Sequence, residues 1–176
     1  MKPYTKDALI ILADKIFDCL YSWYQNFMFV QKRNEYAVKK IDRPIIISLL
    51  GMYYLDHFFH ELSELYTAFY KKGDQEILGR FNASEDQREK LKNVRHPAAH
   101  VTDDIDAVIR ADREMYPSFS SGVFLKDLIL MTKHIRLKLK SIGADHDFIK
   151  GLRALIALYP PDFNPENVKK DLLGDG

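Results

Sequence analysis

The chain has 176 residues, of which 47% are hydrophobic and 29% charged, and its formal net charge is +1. This length and composition are typical of one globular domain and exclude a disordered or collagen-like chain. The single cysteine, Cys19, excludes an internal disulfide framework and a Cys-rich zinc site, and the near-zero net charge gives no support for a dedicated duplex-binding domain.

Helical periodicity dominates the sequence from its first residues onward. Thr5 is placed to cap a helix that we expect to reach about Ile41. The apolar positions on one side of this helix are Leu9, Leu12, Ile16, Leu20, Trp23 and Phe27, and those of a solvated seam opposite are Asp18, Gln25, Lys32 and Lys39. Cys19 lies within the mostly apolar sequence of this helix, which predicts a buried, inert thiol.

A second long helix is predicted from Pro44 to about Lys72, with Gly73 placed to end it. Its first half is apolar on nearly every side, which predicts a position in the middle of a bundle. Its second half is amphipathic. The polar stripe consists of Asp56, His60, Ser63, Thr67 and Lys71.

Residues 73–83 are predicted to form a connector. Ser84 and Gln87 then form a capping-box pattern, which predicts a third helix of about three turns that meets Pro97. A short helical segment is expected at 102–115. The residues that predict a loop after it are Pro117, Ser118, Ser120, Ser121 and Gly122.

A fourth long helix is predicted from Val123 to Ser141, stopping at Gly143, and a fifth from His146 to Leu158. These long helices with short links predict an all-α protein, an antiparallel bundle of four to five helices. We expect one domain over residues 1–160 and a loosely ordered tail at 161–176.

Membrane and export segments are not expected. The longest uncharged stretch, Pro44 to Leu55, is 12 residues long, whereas a spanning helix needs about 20. The first apolar run is too short for the core of a signal peptide. The sequence therefore predicts a cytoplasmic protein without membrane contact.

The segment around Arg95 and His100 is the candidate site. Four residues separate this arginine from the histidine, and the polar residue His96 follows the arginine directly. An Arg-to-His spacing alone is common by chance; the polar residue after the arginine and the short spacing make it much rarer. With this motif closing the third predicted helix, the chain resembles the HEPN superfamily, which carries an R-x4-6-H signature.

The resemblance implies a small up-and-down helical bundle, a homodimer and, as in many members, a metal-independent endoribonuclease of toxin–antitoxin, defence or RNA-processing systems. It assigns His100 as the acid/base, Arg95 as the phosphate clamp and His96 as a positioning group. It implies RNA as the substrate, a 2′,3′-cyclic phosphate product and no cofactor or metal. An antitoxin or a nucleotidyltransferase would be a further partner.

The residue types suit this chemistry. A histidine exchanges protons near neutral pH, and the planar guanidinium of an arginine matches phosphate oxygens. A two-fold dimer with facing motifs supplies two of each group. Five positions along a straight helix rotate a side chain by about 140°, so we expect Pro97 to bend or end the helix between Arg95 and His100.

A second interpretation stays open at the motif. Arg95 would contact helix-end carbonyls, and His96 and His100 would be ordinary residues near a turn. The protein would then be a catalytically silent HEPN-like bundle that binds RNA or a protein.

A basic stripe is predicted on the fourth helix, where Lys133, Arg136 and Lys140 recur at three- and four-residue spacing. Such a stripe can hold an RNA backbone. A solvated face near a helix C-terminus explains the same residues.

The cluster His57, His60 and Glu61 has the spacing of a metal site inside a helical bundle. Matching carboxylates are scarce on the first helix, so we predict no metal there. A supporting role for His60 or Glu64 beside Arg95 is the alternative.

Overall fold

The computed structural model describes residues 3–38, 45–92 and 121–158, together with positions 170 and 172. All regular elements in these ranges are helices. They are α1 (Lys6–Val38), α2 (Ile45–Lys72), α3 (Gln75–Leu78), α4 (Glu85–Lys92), α5 (Ser121–Ser141) and α6 (His146–Ala157). The predicted all-α class is confirmed. The helical segment expected at 102–115 lies outside the described residues.

Helix α1 begins where its capping residue predicts. The backbone N–H of Ala8 donates to Thr5 Oγ1 over 3.2 Å, and that of Leu9 donates to the Thr5 carbonyl. The apolar side is buried over its first four turns. The fully or nearly fully buried residues there are Leu9, Leu12, Ile16, Cys19 and Leu20. Farther along, Trp23 and Phe27 are half-buried, so burial decreases toward the far end of α1.

Helix α2 packs most extensively against α1 and runs antiparallel to it. Lys15 near the start of α1 pairs with Glu61 in the second half of α2. Asn26 in the second half of α1 donates to the Gly51 carbonyl, near the start of α2, over 2.7 Å. The two helices therefore form a hairpin along most of their length.

Two glycines end long helices in the left-handed conformation. Gly73 after α2 has φ 65° and Gly143 after α5 has φ 67°. The residue after each glycine donates its N–H back into the last turn, Asp74 to Phe69 and Ala144 to Leu139. Only glycine adopts this backbone without strain, and both predicted helix ends are confirmed.

Helix α5 packs against α1, and its side chains also contact α2. The Phe59 and Phe124 rings are 5.8 Å apart, and the Phe69 and His134 rings are 6.0 Å apart. The two sequence positions increase together, so α5 runs parallel to α2. It is described from Ser121 onward and includes the whole segment from Val123 to Ser141 that the sequence predicts.

One core cluster joins α1, α2 and α5 with residues of the shorter helices and Leu172. Leu172 belongs to the segment expected to be a loose tail, and its side chain is fully buried. Every other residue of that segment except Lys170 lies outside the described part of the chain.

The predictions for α2 need two corrections. Leu50 and Tyr53 are 38% and 44% exposed, so the first half of α2 is not enclosed on every side. Asp56, assigned to the polar stripe, is buried. The hairpin partner α1 covers one side of α2, and the sequence pattern does not show which side that is.

Candidate functional site

The predicted catalytic residues Arg95, His96 and His100 lie outside the described residues. The chain leading to them is described. Lys92, the last residue of α4 that the structure describes, precedes Arg95 by three positions. The residues around α4 are therefore the described part of the chain that comes nearest before the motif in sequence.

The start of α4 is closed by the predicted capping box. The N–H of Gln87 donates to Ser84 Oγ over 3.2 Å, and the N–H of Ser84 donates to Gln87 Oε1 over 2.9 Å. Both bonds satisfy donors that a helix N-terminus leaves without partners. The sequence pattern thus located this end of the helix to the residue.

The connector before α4 is fixed by Asp127 of α5. This buried carboxylate accepts hydrogen bonds from Tyr66 Oη (2.6 Å), from the backbone N–H groups of Asn82 (2.6 Å) and Ala83 (3.0 Å), and from Asn82 Nδ2 (2.8 Å). Burial and this carboxylate together raise the pKa of Tyr66, so the phenol stays a donor at all ordinary pH values. Asp127 therefore joins α2, the connector and α5.

Arg88 fixes α4 itself against α2. Its Cζ atom lies 5.9 Å from the ring centroid of Tyr66, 5.5 Å from that of Tyr70 and 5.6 Å from that of Phe81. The guanidinium also donates to the Ala83 carbonyl and to Tyr70 Oη. Three aromatic faces around one guanidinium give a strong cation–π contact. No local sequence pattern indicates this role, since the three rings come from two separate segments.

A groove of about 420 Å³ lies beside the end of α4. Its lining residues are Lys15, His60, Ser63, Glu64, Thr67, Ala68, Lys71 and Leu91. Leu91 belongs to the last turn of α4, four residues before Arg95. The polar stripe predicted for the second half of α2 therefore faces the end of the helix that leads to the motif.

Lys15 forms ion pairs with two carboxylates in and beside this groove. Its ammonium pairs with Glu61 over 3.1 Å and also with Glu64, and His60 Nε2 lies 3.7 Å from Glu64. The hydrogen bond from Lys15 lowers the pKa of Glu64. Burial alone would lower the pKa of Lys15, but the two carboxylates outweigh it and raise that pKa.

Of the three residues that have the spacing of a metal site, His57, His60 and Glu61, only His60 and Glu61 lie together. His60, Glu61 and Glu64 cluster, with potential ligand atoms within 4.8 Å of one another. His57 instead stacks on Tyr53, with ring centroids 6.3 Å apart. The Lys15 ammonium already occupies the centre of the carboxylate pair. The sequence pattern does not indicate that Lys15 of α1 lies at this position.

The predicted basic stripe is on the surface of α5. Lys133 and Lys140 are exposed and Arg136 is half-buried. His134, between them in sequence, is buried and faces the core. Lys138 pairs with Glu76 of α3 over 2.6 Å and so contributes its charge to a local ion pair.

Cys19 is fully buried, as predicted, and burial raises its pKa well above the ordinary value. A thiol in this state is a poor nucleophile. Nucleophilic catalysis by Cys19 therefore has no support.

A larger cavity, about 560 Å³, lies between α1 and the turn from α5 to α6. Lys6 and His146 line it together with Asp14 and Asp147. The mixed charges favour no single class of ligand.

Comparison of the chain with protein-family models, with curated proteins and with solved structures gave no match. None of the described helices has the length and hydropathy needed to cross a membrane.

Proposed function

We propose that this protein is a metal-independent endoribonuclease of HEPN type, with its site composed at a homodimer interface. The observation that carries the proposal is the firmly anchored helix α4, whose last described residue precedes Arg95 by three positions and which lies beside a polar groove. A capping box, a buried carboxylate and an aromatic cage all act to fix this one short helix. Such support suits a helix that positions functional residues.

The directions of the described helices support a HEPN-like bundle. Helix α2 is antiparallel to α1 and parallel to α5. Helix α4 packs against the second half of α2, where Arg88 contacts Tyr66 and Tyr70.

In the proposed reaction the 2′-oxygen of a ribose attacks the adjacent phosphorus, and the bond to the 5′-oxygen breaks. His100 of one subunit removes the 2′ proton, and the second copy of His100 protonates the leaving 5′-oxygen. Arg95 neutralises the charge on the non-bridging oxygens. The products are a 2′,3′-cyclic phosphate and a 5′-hydroxyl.

The surface of α5 supports an RNA partner. Lys133, Arg136 and Lys140 extend over two turns of one helix, and contacts of this kind follow a nucleic-acid backbone without reading its sequence. Replacement of Lys133 and Lys140 by glutamine is expected to weaken RNA binding and to reduce its salt dependence by about one to two counterions.

The proposal is tested by RNA cleavage in excess EDTA. Wild-type protein is expected to cut single-stranded RNA, and His100→Ala and Arg95→Ala are expected to reduce the rate at least a hundredfold at unchanged thermal stability. His146→Ala, which removes an exposed histidine from the start of α6, is the matched control and is expected to cut normally. Equal cleavage by all four proteins would identify a contaminating nuclease and end the proposal.

The composite site is tested by mixing. An excess of inactive His100→Ala subunits is expected to suppress the activity of wild-type subunits as the two exchange into mixed dimers, because the reaction needs both copies of His100. Full activity of the wild-type subunits in a mixture shown to exchange would rule out a shared site.

A catalytically silent bundle that binds a protein partner, such as an antitoxin, is the second candidate function. The observation that favours it is an exposed aromatic surface formed by α1 and the first half of α2. Tyr21 and Tyr53 are 43% and 44% exposed, and both contact the ring of Tyr54. Retained partner binding without any RNA cleavage by the wild-type protein would select this function.

A further inference from the structure

A second cluster of titratable side chains lies outside the groove lining, at the turn between α2 and α3. Asp74 immediately precedes α3, Glu76 belongs to its first turn, and His134 comes from α5. His134 Nε2 lies 2.8 Å from Asp74 Oδ2, and one potential ligand atom from each of the three residues lies within 4.8 Å of the others.

Asp74 is the unusual member of this cluster. Its side chain is fully buried, yet only Oδ2 is engaged, by Tyr4 Oη at 2.8 Å and by His134. Oδ1 has no hydrogen-bond partner in the described part of the chain. A buried acceptor without a partner is costly and rare. A bound cation would satisfy it.

An ion can reach this cluster from solvent. Glu76 is more than half exposed, so the cluster is open to solvent on its side.

The donor set and spacing suit a transition-metal ion. Two carboxylates and one imidazole are ligands that Zn²⁺ accepts, at about 2.0–2.2 Å each. Ligand atoms at right angles or in a tetrahedron around such an ion lie about 2.8–3.6 Å apart, so the 2.8 Å between Asp74 Oδ2 and His134 Nε2 needs little change. An ion held by both oxygens of Asp74 also gives Oδ1 a partner.

The groove cluster provides a contrast within the same protein. There the Lys15 ammonium bridges Glu61 and Glu64 and supplies the positive charge itself. At the second cluster the Lys138 ammonium pairs with Glu76, and the buried Oδ1 of Asp74 has no hydrogen-bond partner among the described residues.

We propose that Asp74, Glu76 and His134 form a binding site for a divalent transition-metal ion of the Zn²⁺ type. The ion joins the α2–α3 turn to α5, with Tyr4 as a hydrogen-bond donor to the Asp74 ligand. It is a structural site, independent of the proposed RNA cleavage. Ligation uses the lone pair of His134 Nε2, so the proton that this nitrogen shares with Asp74 moves to Nδ1.

The site is tested with the full chain, freed of metal by chelation and titrated with Zn²⁺ in a calorimeter. One equivalent is expected to bind and to raise the melting temperature, because an ion that binds the folded state stabilises it. Co²⁺ is the spectroscopic probe, and its visible absorption reports a site of low coordination number that includes nitrogen.

Glu76→Gln is the decisive variant, since this exposed side chain can be changed without disturbing the core. We expect at least tenfold weaker Zn²⁺ binding with an unchanged melting temperature of the metal-free protein. Glu64→Gln in the other cluster is the matched control and is expected to bind Zn²⁺ like the wild type. No Zn²⁺ binding, equal binding by Glu76→Gln, or a loss confined to Glu64→Gln would each overturn the proposal.

Discussion

Replacing Asp127 is expected to destabilise the protein strongly, because this one carboxylate ties α2 and the connector before α4 to α5. The side chain is fully buried and accepts four hydrogen bonds. Two of the donors, Tyr66 Oη and the Ala83 N–H, belong to buried residues, whereas Asn82 is exposed and water can replace its bonds. Asp127→Ala therefore leaves two buried donors without an acceptor.

The magnitude follows from these two donors. Each buried donor left without a partner costs about 1–3 kcal/mol, so Asp127→Ala is expected to lower the free energy of unfolding by about 4 kcal/mol. Asp127→Asn keeps the volume but turns an N–H₂ group toward backbone N–H donors, and about 2 kcal/mol is expected. Glu89→Ala on the exposed face of α4 is the control, with an effect within about 0.5 kcal/mol.

Urea denaturation measures these differences, with an unchanged slope expected for each variant. A double-mutant cycle with Tyr66→Phe isolates the bond between the two side chains, and a coupling of about 1 kcal/mol or more is expected. An Asp127→Ala variant within about 1 kcal/mol of the wild type, or a cycle additive within about 0.3 kcal/mol, would refute the view that this carboxylate holds the connector before α4.

Three further predictions test separate features. Gly151→Ala is expected to destabilise the protein by about 1–3 kcal/mol despite better helix propensity, because the new Cβ would lie 2.6 Å from Cζ of Phe17; a stabilised variant in thermal melts would contradict this packing. Ser84→Ala is expected to cost about 1 kcal/mol through loss of the cap to Gln87, as measured by urea denaturation, and Ser84→Gly only a few tenths. Cys19 is expected to resist alkylation at pH 8 until the chain unfolds, since burial raises the pKa of its thiol; rapid labelling of folded protein would show the opposite.

Lowering the pH is expected to weaken the ion pairs of the groove more than the packing of the apolar core. The pKa of Glu64 is lowered in the folded state, so its pairing with Lys15 stabilises the protein above the unfolded-state pKa of the carboxyl and is lost as the pH falls through the folded-state value. The pair is substantially exposed, so its contribution is at most about 1 kcal/mol. Between pH 6 and pH 3 the wild-type protein is expected to lose more free energy of unfolding than Glu64→Gln, as measured by urea denaturation.

The sequence by itself determined the helices and most of their ends. Thr5, Ser84 with Gln87, Gly73 and Gly143 each act on backbone groups within five residues, so the cap or turn that they form is readable from the local pattern. The apolar side of α1 followed from its period. The missed helix α3, four residues long, shows where such signals are weakest.

The tertiary structure alone decided which side chains meet. Asp127 lies 44 positions from Ala83, Lys15 lies 46 from Glu61, and His134 lies 60 from Asp74. No local pattern specifies these pairs, because they depend on the register in which α1, α2 and α5 pack. The same packing buried Asp56 and His134 and left Tyr53 exposed, although hydropathy and period favour other positions for all three. The sequence therefore determined the elements, and the burial of their apolar faces against one another determined the sites.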